Sequence, residues 1–177
     1  EVRPEQLSDG FEYVSLNVGT ASAPTAVELI ACFSDVINHF FTLKDDQGRA
    51  CNRGAKRFLI TCPTSWGGAP GIALSAGMMG GGVAGSVENA LKGLISYRGW
   101  QVGLIQDPAL TTDRFQVWRG DAAWNAVIRQ EELSPEMRSL GAGSEYEFFN
   151  DKWAFGGKAV RALGFGRWQS AISAALS

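Results

Sequence analysis

The residues most suggestive of chemistry in this chain are glycines. Residues 80–85 read GGGVAG, so that Gly80, Gly82 and Gly85 match the spacing G-x-G-x-x-G. In dinucleotide-binding folds such glycines bring the backbone close to a pyrophosphate between a strand and a helix. IALS could be that strand and SVENALKGL the helix, with Asp107 placed to bind a ribose hydroxyl. A small nucleotide-binding α/β enzyme is therefore one hypothesis.

Two details of this segment favour a simple glycine loop instead. Residues 76–79 separate the candidate strand from Gly80, where the fingerprint requires the strand to end, and Gly93 interrupts the candidate helix. No lysine follows the glycines, so the phosphate-loop pattern G-x-x-x-x-G-K-[ST] does not occur. We expect residues 80–85 to form a flexible loop that binds no phosphate.

Other catalytic candidates lack partners at a useful spacing. His39 is the only histidine, and Cys62 could act as a nucleophile only if a base reached it. We interpret both as structural. The remaining candidates are paired or neighbouring carboxylates in expected turns and loops, which are typical of solvated clusters: Asp45 with Asp46, Glu131 with Glu132, and Glu145 with Glu147. The six tryptophans could line a ligand cage, but we interpret them as anchors of a core or a subunit interface.

Composition indicates a packed protein without a strong electrostatic preference. Of the 177 residues 45% are hydrophobic and 19% charged, and the net charge of −2 argues against tight nucleic-acid binding. Three cysteines without a C-x-x-C pair indicate neither a zinc site nor a disulfide framework. We expect a protein without a membrane span or secretion signal, and the first residue, Glu1, suggests that a segment precedes it.

Helical and strand patterns position these candidates. Thr25 and Glu28 make a capping box, and apolar residues recur at helical spacing as far as Leu43. RFLIT at 57–61 predicts a buried strand that ends at Pro63, and WQVGLI and FQVW predict two more. We expect a short helix over 72–79, a helical turn over 87–91 and a connection over 134–143.

The segment 151–171, DKWAFGGKAVRALGFGRWQSA, mixes bulky aromatic residues with glycines. This composition predicts an extended, bulged strand with buried aromatic side chains. Its wording resembles the C-terminal signature of the Mu-type phage major head subunit family. The corresponding residues are Phe155, Gly156, Arg161, Gly164, Phe165, Gly166, Trp168 and Gln169. The family order of a helix, a K-D-x-x-G turn, a strand ending in proline, NALKG and DPAL is similar as well, so the resemblance covers essentially the whole chain.

The resemblance implies an α+β chain with the HK97-like phage capsid fold. A peripheral domain, residues 1–63 and 145–177, would contain a spine helix over about 25–43 and a sheet to which the terminal strand returns. An inserted axial domain would span residues 64–144, with residues 77–85 at its tip. Trp168 would be buried in the peripheral sheet against Phe33, Ile37 and Phe41. Because the family's arm and extended loop precede the spine helix, the resemblance also implies a C-terminal portion of a longer subunit.

The implied function is that of a structural major capsid protein that self-assembles into an icosahedral shell around the genome of a tailed phage or prophage. Its partners would be copies of itself in pentamers and hexamers, with scaffolding, portal and decoration proteins and loosely held packaged DNA. The resemblance implies assembly in the bacterial host cytoplasm, a place in the virion, and no cofactor, metal or catalytic residue. A generic α/β interaction module is a further alternative.

Overall fold

The computed structural model describes residues 12–81, 85–140, 143 and 145–177. The chain divides into two compact units: unit 1 comprises Glu1–Ala126 with Phe165–Ser177, and unit 2 comprises Val127–Gly164. The helices are α1 (Ala26–Thr42), α2 (Ala69–Ser75), α3 (Ala90–Arg98) and α4 (Glu145–Asn150). The strands are β1 (Glu12–Leu16), β2 (Arg57–Pro63), β3 (Met78–Gly81), β4 (Gly85–Glu88), β5 (Gln101–Asp107), β6 (Arg114–Arg119), β7 (Val127–Leu140), β8 (Ala154–Phe165) and β9 (Ala171–Leu176).

Helix α1 forms where its capping residues and apolar spacing predict it. The Thr25 side chain accepts a hydrogen bond from the Glu28 backbone N–H, and the Glu28 carboxylate accepts one from the Thr25 N–H, which completes the capping box. These hydrogen bonds, with another from the Gly19 N–H, hold the pKa of Glu28 below its ordinary value. The helix buries one face against the sheet, through Leu29, Cys32, Phe33, Val36, Ile37 and Phe40.

A five-stranded mixed sheet forms the centre of unit 1, in the order β1-β9-β6-β2-β5. β9 pairs parallel with β1 and antiparallel with β6, while β2 pairs antiparallel with β6 and parallel with β5. The strand that returns to this sheet is Ala171–Leu176, and not the segment 151–171 that the sequence predicts as the closing strand. The core lies between helices and sheet, and Phe33 meets Phe115 edge-to-face with 5.2 Å between ring centroids.

The middle of the chain departs from the expected elements. The short helix lies at Ala69–Ser75, earlier than the expected 72–79, because Pro70 occupies its first turn, where proline is favoured. The expected helical turn over 87–91 is instead the end of β4 followed by the nine-residue helix α3. WQVGLI, FQVW and RFLIT form β5, β6 and β2, so these three strand predictions are confirmed.

The largest difference lies in unit 2. The expected connection over 134–143 is wrong, since residues up to Leu140 belong to the fourteen-residue strand β7. β7 pairs with β8 in a separate two-stranded sheet, and α4 lies between them in sequence. Arg161 pairs with Glu131, and Gly157 faces Met137, so the strands run antiparallel.

The two compact units do not coincide with the expected domains, whose boundaries were at 64 and 144. Strands from both expected domains share the five-stranded sheet: β1, β2 and β9 from one, and β5 and β6 from the other. The described residues separate at 127 and 164 instead.

Candidate assembly surface

The signature residues are divided between strand β8 and the short segment that follows it. Strand β8 carries Phe155, Gly156, Arg161, Gly164 and Phe165. Gly166 follows, and Trp168 and Gln169 lie in a 3-10 turn, Trp168–Ser170, directly before β9. The extended conformation expected for this segment is confirmed over Ala154–Phe165. The structure thus joins the signature to the sheet of unit 1 at one end and to unit 2 at the other.

Three aromatic side chains in and beside β8 are exposed, contrary to the expected burial. Trp153, Phe155 and Phe165 have 61%, 70% and 63% of their surface accessible. The physical reason is that β8 has only β7 beside it and no described element of unit 2 that buries its side chains. The expected burial of these three residues within the chain is therefore wrong.

The whole of unit 2 shares this exposure. None of its described side chains is buried, and seven large apolar ones are between 54% and 85% exposed: Met137, Leu140, Phe148, Phe149, Trp153, Phe155 and Leu163. We call these seven side chains the unit 2 apolar surface. Met137 and Leu140 differ in parity along β7, so they point to opposite faces of the hairpin and both faces are open. Large apolar side chains are therefore exposed on both faces of the hairpin.

Gly156 and Gly164 of β8 have no explanation among the described residues. Gly156 and Gly164 do not have positive φ angles, and a Cβ atom built on either would meet nothing within 4 Å. Glycine is usually required where the backbone is left-handed or where another segment approaches closely. Neither condition holds for these two residues among the described ones. The absence of side chains leaves open space beside the strand at both positions.

Charged side chains of the hairpin form ion pairs with one another. Glu131 accepts from Arg129 along β7 and lies 3.6 Å from the Nε of Arg161 on β8. Glu136 pairs with Arg138 at 3.1 Å. Cross-strand pairs of opposite charge stabilise a register by a fraction of a kcal/mol, about 0.2–1. Glu131 is thus engaged in structure and is not poised as a general acid or base.

Trp168 and Gln169 connect the signature to the core of unit 1. Trp168 is half-buried and packs against the core cluster from the 3-10 turn. It is therefore not a buried strand residue of the sheet as expected, because β9, which begins two residues after Gln169, takes that place. The backbone carbonyl of Gln169 accepts a 2.9 Å hydrogen bond from the buried Asn52 side chain.

The glycine segment does not have the geometry of a dinucleotide site. Gly80 and Gly81 end β3, Gly85 begins β4, and the two strands pair antiparallel with Gly81 opposite Gly85. A dinucleotide site needs a strand that leads through the glycines directly into a helix. Residues 82–84, the centre of the expected loop, lie outside the described residues. The prediction of a flexible loop over 80–85 is wrong for Gly80, Gly81 and Gly85, because these residues lie in strands.

Asp107 and Asn89 have structural roles beside this hairpin. Asp107 Oδ1 accepts a hydrogen bond from the Ala109 N–H and so closes the turn after β5. Asn89 caps α3 through the Leu91 and Lys92 N–H groups, and its amide donates to the carbonyls of Ala73 and Ala76. Asn89 was not among the predicted functional residues, although asparagine directly before an apolar helix is a capping signal.

Neither His39 nor Cys62 is arranged for catalysis. Cys62 is fully buried, with its Sγ 3.8 Å from the Ile105 carbonyl, and desolvation raises the pKa of its thiol to about 11. A thiol with such a pKa is a poor nucleophile at neutral pH. His39 lies in the last turn of α1, with its Nδ1 3.4 Å from the Thr42 hydroxyl.

The remaining candidates are dispersed. Asp45 closes a turn by accepting from the N–H groups of Gln47 and Arg49, which lower its pKa; Asp46 is exposed. The side chains of Glu145 and Glu147 lie outside the described ones. Among the described residues no group of three His, Cys, Asp or Glu side chains could hold a metal ion. The tryptophans form no cage, since Trp66 and Trp100 are buried in the core whereas Trp124 and Trp153 are exposed.

Comparison with solved structures identifies the fold. The capsid of the cyanophage P-SCSP1u matches 94% of this chain, and the mature capsid of bacteriophage PhiM1 and the capsid of Myoviridae phage XM1 each match 100%. The TM-scores are 0.54, 0.54 and 0.53, at sequence identities of 12%, 12% and 13%. The chain has a phage capsid fold. Protein-family models and curated proteins yield no match to the sequence.

The comparison thus shows a phage capsid fold, which is less specific than the expected HK97-like fold of the Mu type. This chain spans 53–57% of the length of the three capsid chains that it matches. Its described helices include none that is long and apolar enough to cross a membrane.

Proposed function

We propose that this chain is part of a major capsid protein, a structural subunit that self-assembles into the icosahedral head of a tailed phage or prophage. The single observation that carries the proposal is the unit 2 apolar surface, combined with the phage capsid fold of the chain. A monomeric protein rarely keeps seven large apolar side chains more than half exposed on one 38-residue unit, Val127–Gly164. A shell subunit buries such side chains against its neighbours.

The shape of unit 2 supports contact between subunits in particular. An isolated two-stranded hairpin is at best marginally stable in water, and further packing on a face is what stabilises it. Unit 2 offers two open faces, so one hairpin can contact different neighbours on its two sides. The open space beside Gly156 and Gly164 fits the same purpose.

The finer assignment follows the resemblance. We propose an HK97-like fold of the Mu type, assembled as pentamers and hexamers in the host cytoplasm and carried in the virion, with Phe155–Gln169 as its family signature. We also propose a peripheral domain of residues 1–63 and 145–177 with an inserted axial domain of residues 64–144, whose strands β5 and β6 join the five-stranded sheet. Scaffolding, portal and decoration proteins are proposed partners.

Assembly of the complete gene product tests the proposal. The complete subunit, purified and examined by sedimentation velocity and electron microscopy, is expected to form rings or closed shells, whereas the present chain alone is expected to stay monomeric or weakly associated. Phe155→Arg in the complete subunit should abolish large particles because it places a charge at a subunit contact. A complete subunit that stays monomeric at high concentration would refute the proposal.

A matched control separates assembly from folding. Val27 is 58% exposed on α1, in unit 1, and Val27→Arg introduces the same charge on an exposed apolar residue. We expect Val27→Arg to assemble as the wild type does, and both variants to unfold at the wild-type temperature as isolated subunits. Equal loss of assembly in both variants would show that added charge, and not the hairpin contact, is responsible.

A further inference from the structure

The basic residues of unit 1 are concentrated around two adjoining clefts, although the chain as a whole carries a net charge of −2. The first cleft is lined by Lys44, Asp45, Gly48, Arg49, Ala50, Cys51, Arg53 and Arg167. The second is lined by Phe41, Arg53, Gly54, Ala55, Lys56, Tyr97, Arg98 and Trp100. Arg53 belongs to both, so the two clefts form one continuous surface, which we call the basic clefts.

The charge on this surface is predominantly positive. Six cationic side chains line the basic clefts, and Asp45 is the single carboxylate among their lining residues. Asp45 is already paired with Arg49 at 3.0 Å. Lys44, Arg53 and Lys56 are exposed and make no ion pair with any residue that the structure describes. Like charges gathered without counter-charges cost free energy, which an anionic ligand would relieve.

Aromatic rings hold one of these cations in place. The guanidinium of Arg98 lies 5.3 Å from the centre of the Trp100 ring and 5.7 Å from that of Phe41, and the two rings are stacked on each other. Cation–π contacts of this kind orient the planar guanidinium while its N–H groups stay free to bind an oxygen anion. Next to it Tyr97 is 88% exposed, a suitable platform for a nucleic-acid base or sugar.

We propose that the basic clefts bind the phosphodiester backbone of nucleic acid. A cation series over two open, connected clefts suits an extended polyanion better than a small anion, which would need donors that converge on one point. The choice of nucleic acid over an acidic protein segment rests on the proposed function, since a head encloses a genome. Binding of this kind is independent of sequence and weakens steeply with salt.

Neutralising two of the unpaired cations tests the site. The variant Arg53→Gln/Lys56→Gln, made in the full chain, is compared with Lys92→Gln/Arg114→Gln, which removes two exposed cations of unit 1 outside the clefts. Fluorescence anisotropy with a 30-base-pair duplex and with a single strand of the same sequence is recorded from 50 to 200 mM salt. Each lost phosphate contact should lower the slope of log affinity against log salt by about 0.9 on duplex and about 0.7 on single strand.

The expected result is a slope reduced by about 1.8 on duplex for the cleft variant, from two lost contacts, and an unchanged slope for the control. The strand type that the wild-type chain binds more tightly at equal salt identifies the form of nucleic acid bound. No wild-type binding to either DNA at 50 mM salt, equal losses in both variants, or tighter binding of polyglutamate at equal charge would each overturn the inference. Assembly of the complete subunit carrying Arg53→Gln/Lys56→Gln is measured separately: normal shells with weakened DNA binding separate this site from the proposed function.

Discussion

At the scale of single residues, the buried polar side chains of unit 1 are connectors between elements. Asn52 is 2% exposed, and its amide donates to the carbonyls of Phe40 and Gln169 at 3.0 and 2.9 Å. Its oxygen accepts from the Arg119 guanidinium at 2.8 Å. One side chain thus joins the end of α1, the turn before β9 and the end of β6.

Removing this connector should destabilise unit 1 strongly. Asn52→Ala leaves two carbonyls and one guanidinium without their partner, and unsatisfied buried groups cost about 1–3 kcal/mol each before relaxation and water entry. We expect a loss of about 2–4 kcal/mol in the free energy of unfolding, measured by urea denaturation. Asn38→Ala, at an exposed position of α1, is the control and should change stability little. Equal effects of the two substitutions would show that the Asn52 network is not stabilising.

The cysteines give a second prediction, on reactivity. Burial raises the pKa of Cys62 to about 11, and burial with the nearby charges of Asp35 and Glu28 does the same for Cys32. At pH 8 only about one such thiol in a thousand is ionised. In the native chain Cys51, which is half-buried, should react first with a thiol reagent, and all three should react in urea. Rapid native labelling of Cys62 would contradict a structural role.

His39 and Cys62, the two discarded catalytic candidates, are expected to be dispensable for assembly. Cys62→Ser and His39→Ala should leave assembly of the complete subunit largely unchanged, because no chemical step is assigned to either residue. Particle yield, measured by sedimentation, checks this expectation. Loss of a specific activity in either variant, with shells intact, would point to chemistry that the capsid proposal does not include.

At the scale of elements, the start of α1 depends on pH. The Glu28 carboxylate accepts hydrogen bonds from the Thr25 and Gly19 N–H groups, so its pKa in the folded chain is lowered. A lowered pKa adds stability above the pKa of the unfolded chain, and this stability is lost as pH falls through the folded value. Glu28→Gln should therefore unfold at a lower temperature than the wild type at pH 7, and this difference in unfolding temperature should narrow as the pH falls through the lowered pKa of Glu28. A constant difference would contradict the capping role.

Strand β8 and helix α3 provide a matched pair of glycine tests. Gly156 has open space within the chain, whereas Gly99 ends α3 with φ of +63°, where an L-residue is strained by about 1–2 kcal/mol. Gly99→Ala should lower the unfolding temperature of the isolated chain, and Gly156→Ala should not. In the complete subunit Gly156→Ala should instead reduce assembly. The opposite pattern would mean that β8 needs its glycines for its own fold.

The sequence predicts the elements that have one face buried and one face exposed within the chain. Helix α1 and strand β2 alternate buried and exposed residues at periods of about 3.6 and 2, and both were predicted. β7 was missed because no described residue buries its side chains, so no period appears, and because it contains Pro135. Proline is tolerated there since a two-stranded sheet has only edge strands. The burial of the signature aromatic residues was mispredicted for the same reason.

At the scale of the whole molecule, the sequence also did not predict how the charged side chains are distributed over the surface. A net charge of −2 argued against contact with nucleic acid, but folding brings six cations together around the basic clefts. Three of the six lie within residues 49–56, where a local excess of basic residues was visible in principle. Arg98 and Arg167 join them only through the fold. Net charge alone therefore did not predict this surface.

The unit 2 apolar surface is expected to be buried between subunits of the assembled shell. Hydroxyl-radical footprinting of the complete subunit, before and after assembly, measures this directly. Trp153 and Phe155, which are 61% and 70% exposed in the single chain, should be oxidised in the unassembled subunit and protected in particles. Trp66, 5% exposed in the core, should be protected in both states and serves as the reference. Particles in which Trp153 and Phe155 stay as reactive as in the free subunit would contradict the claim.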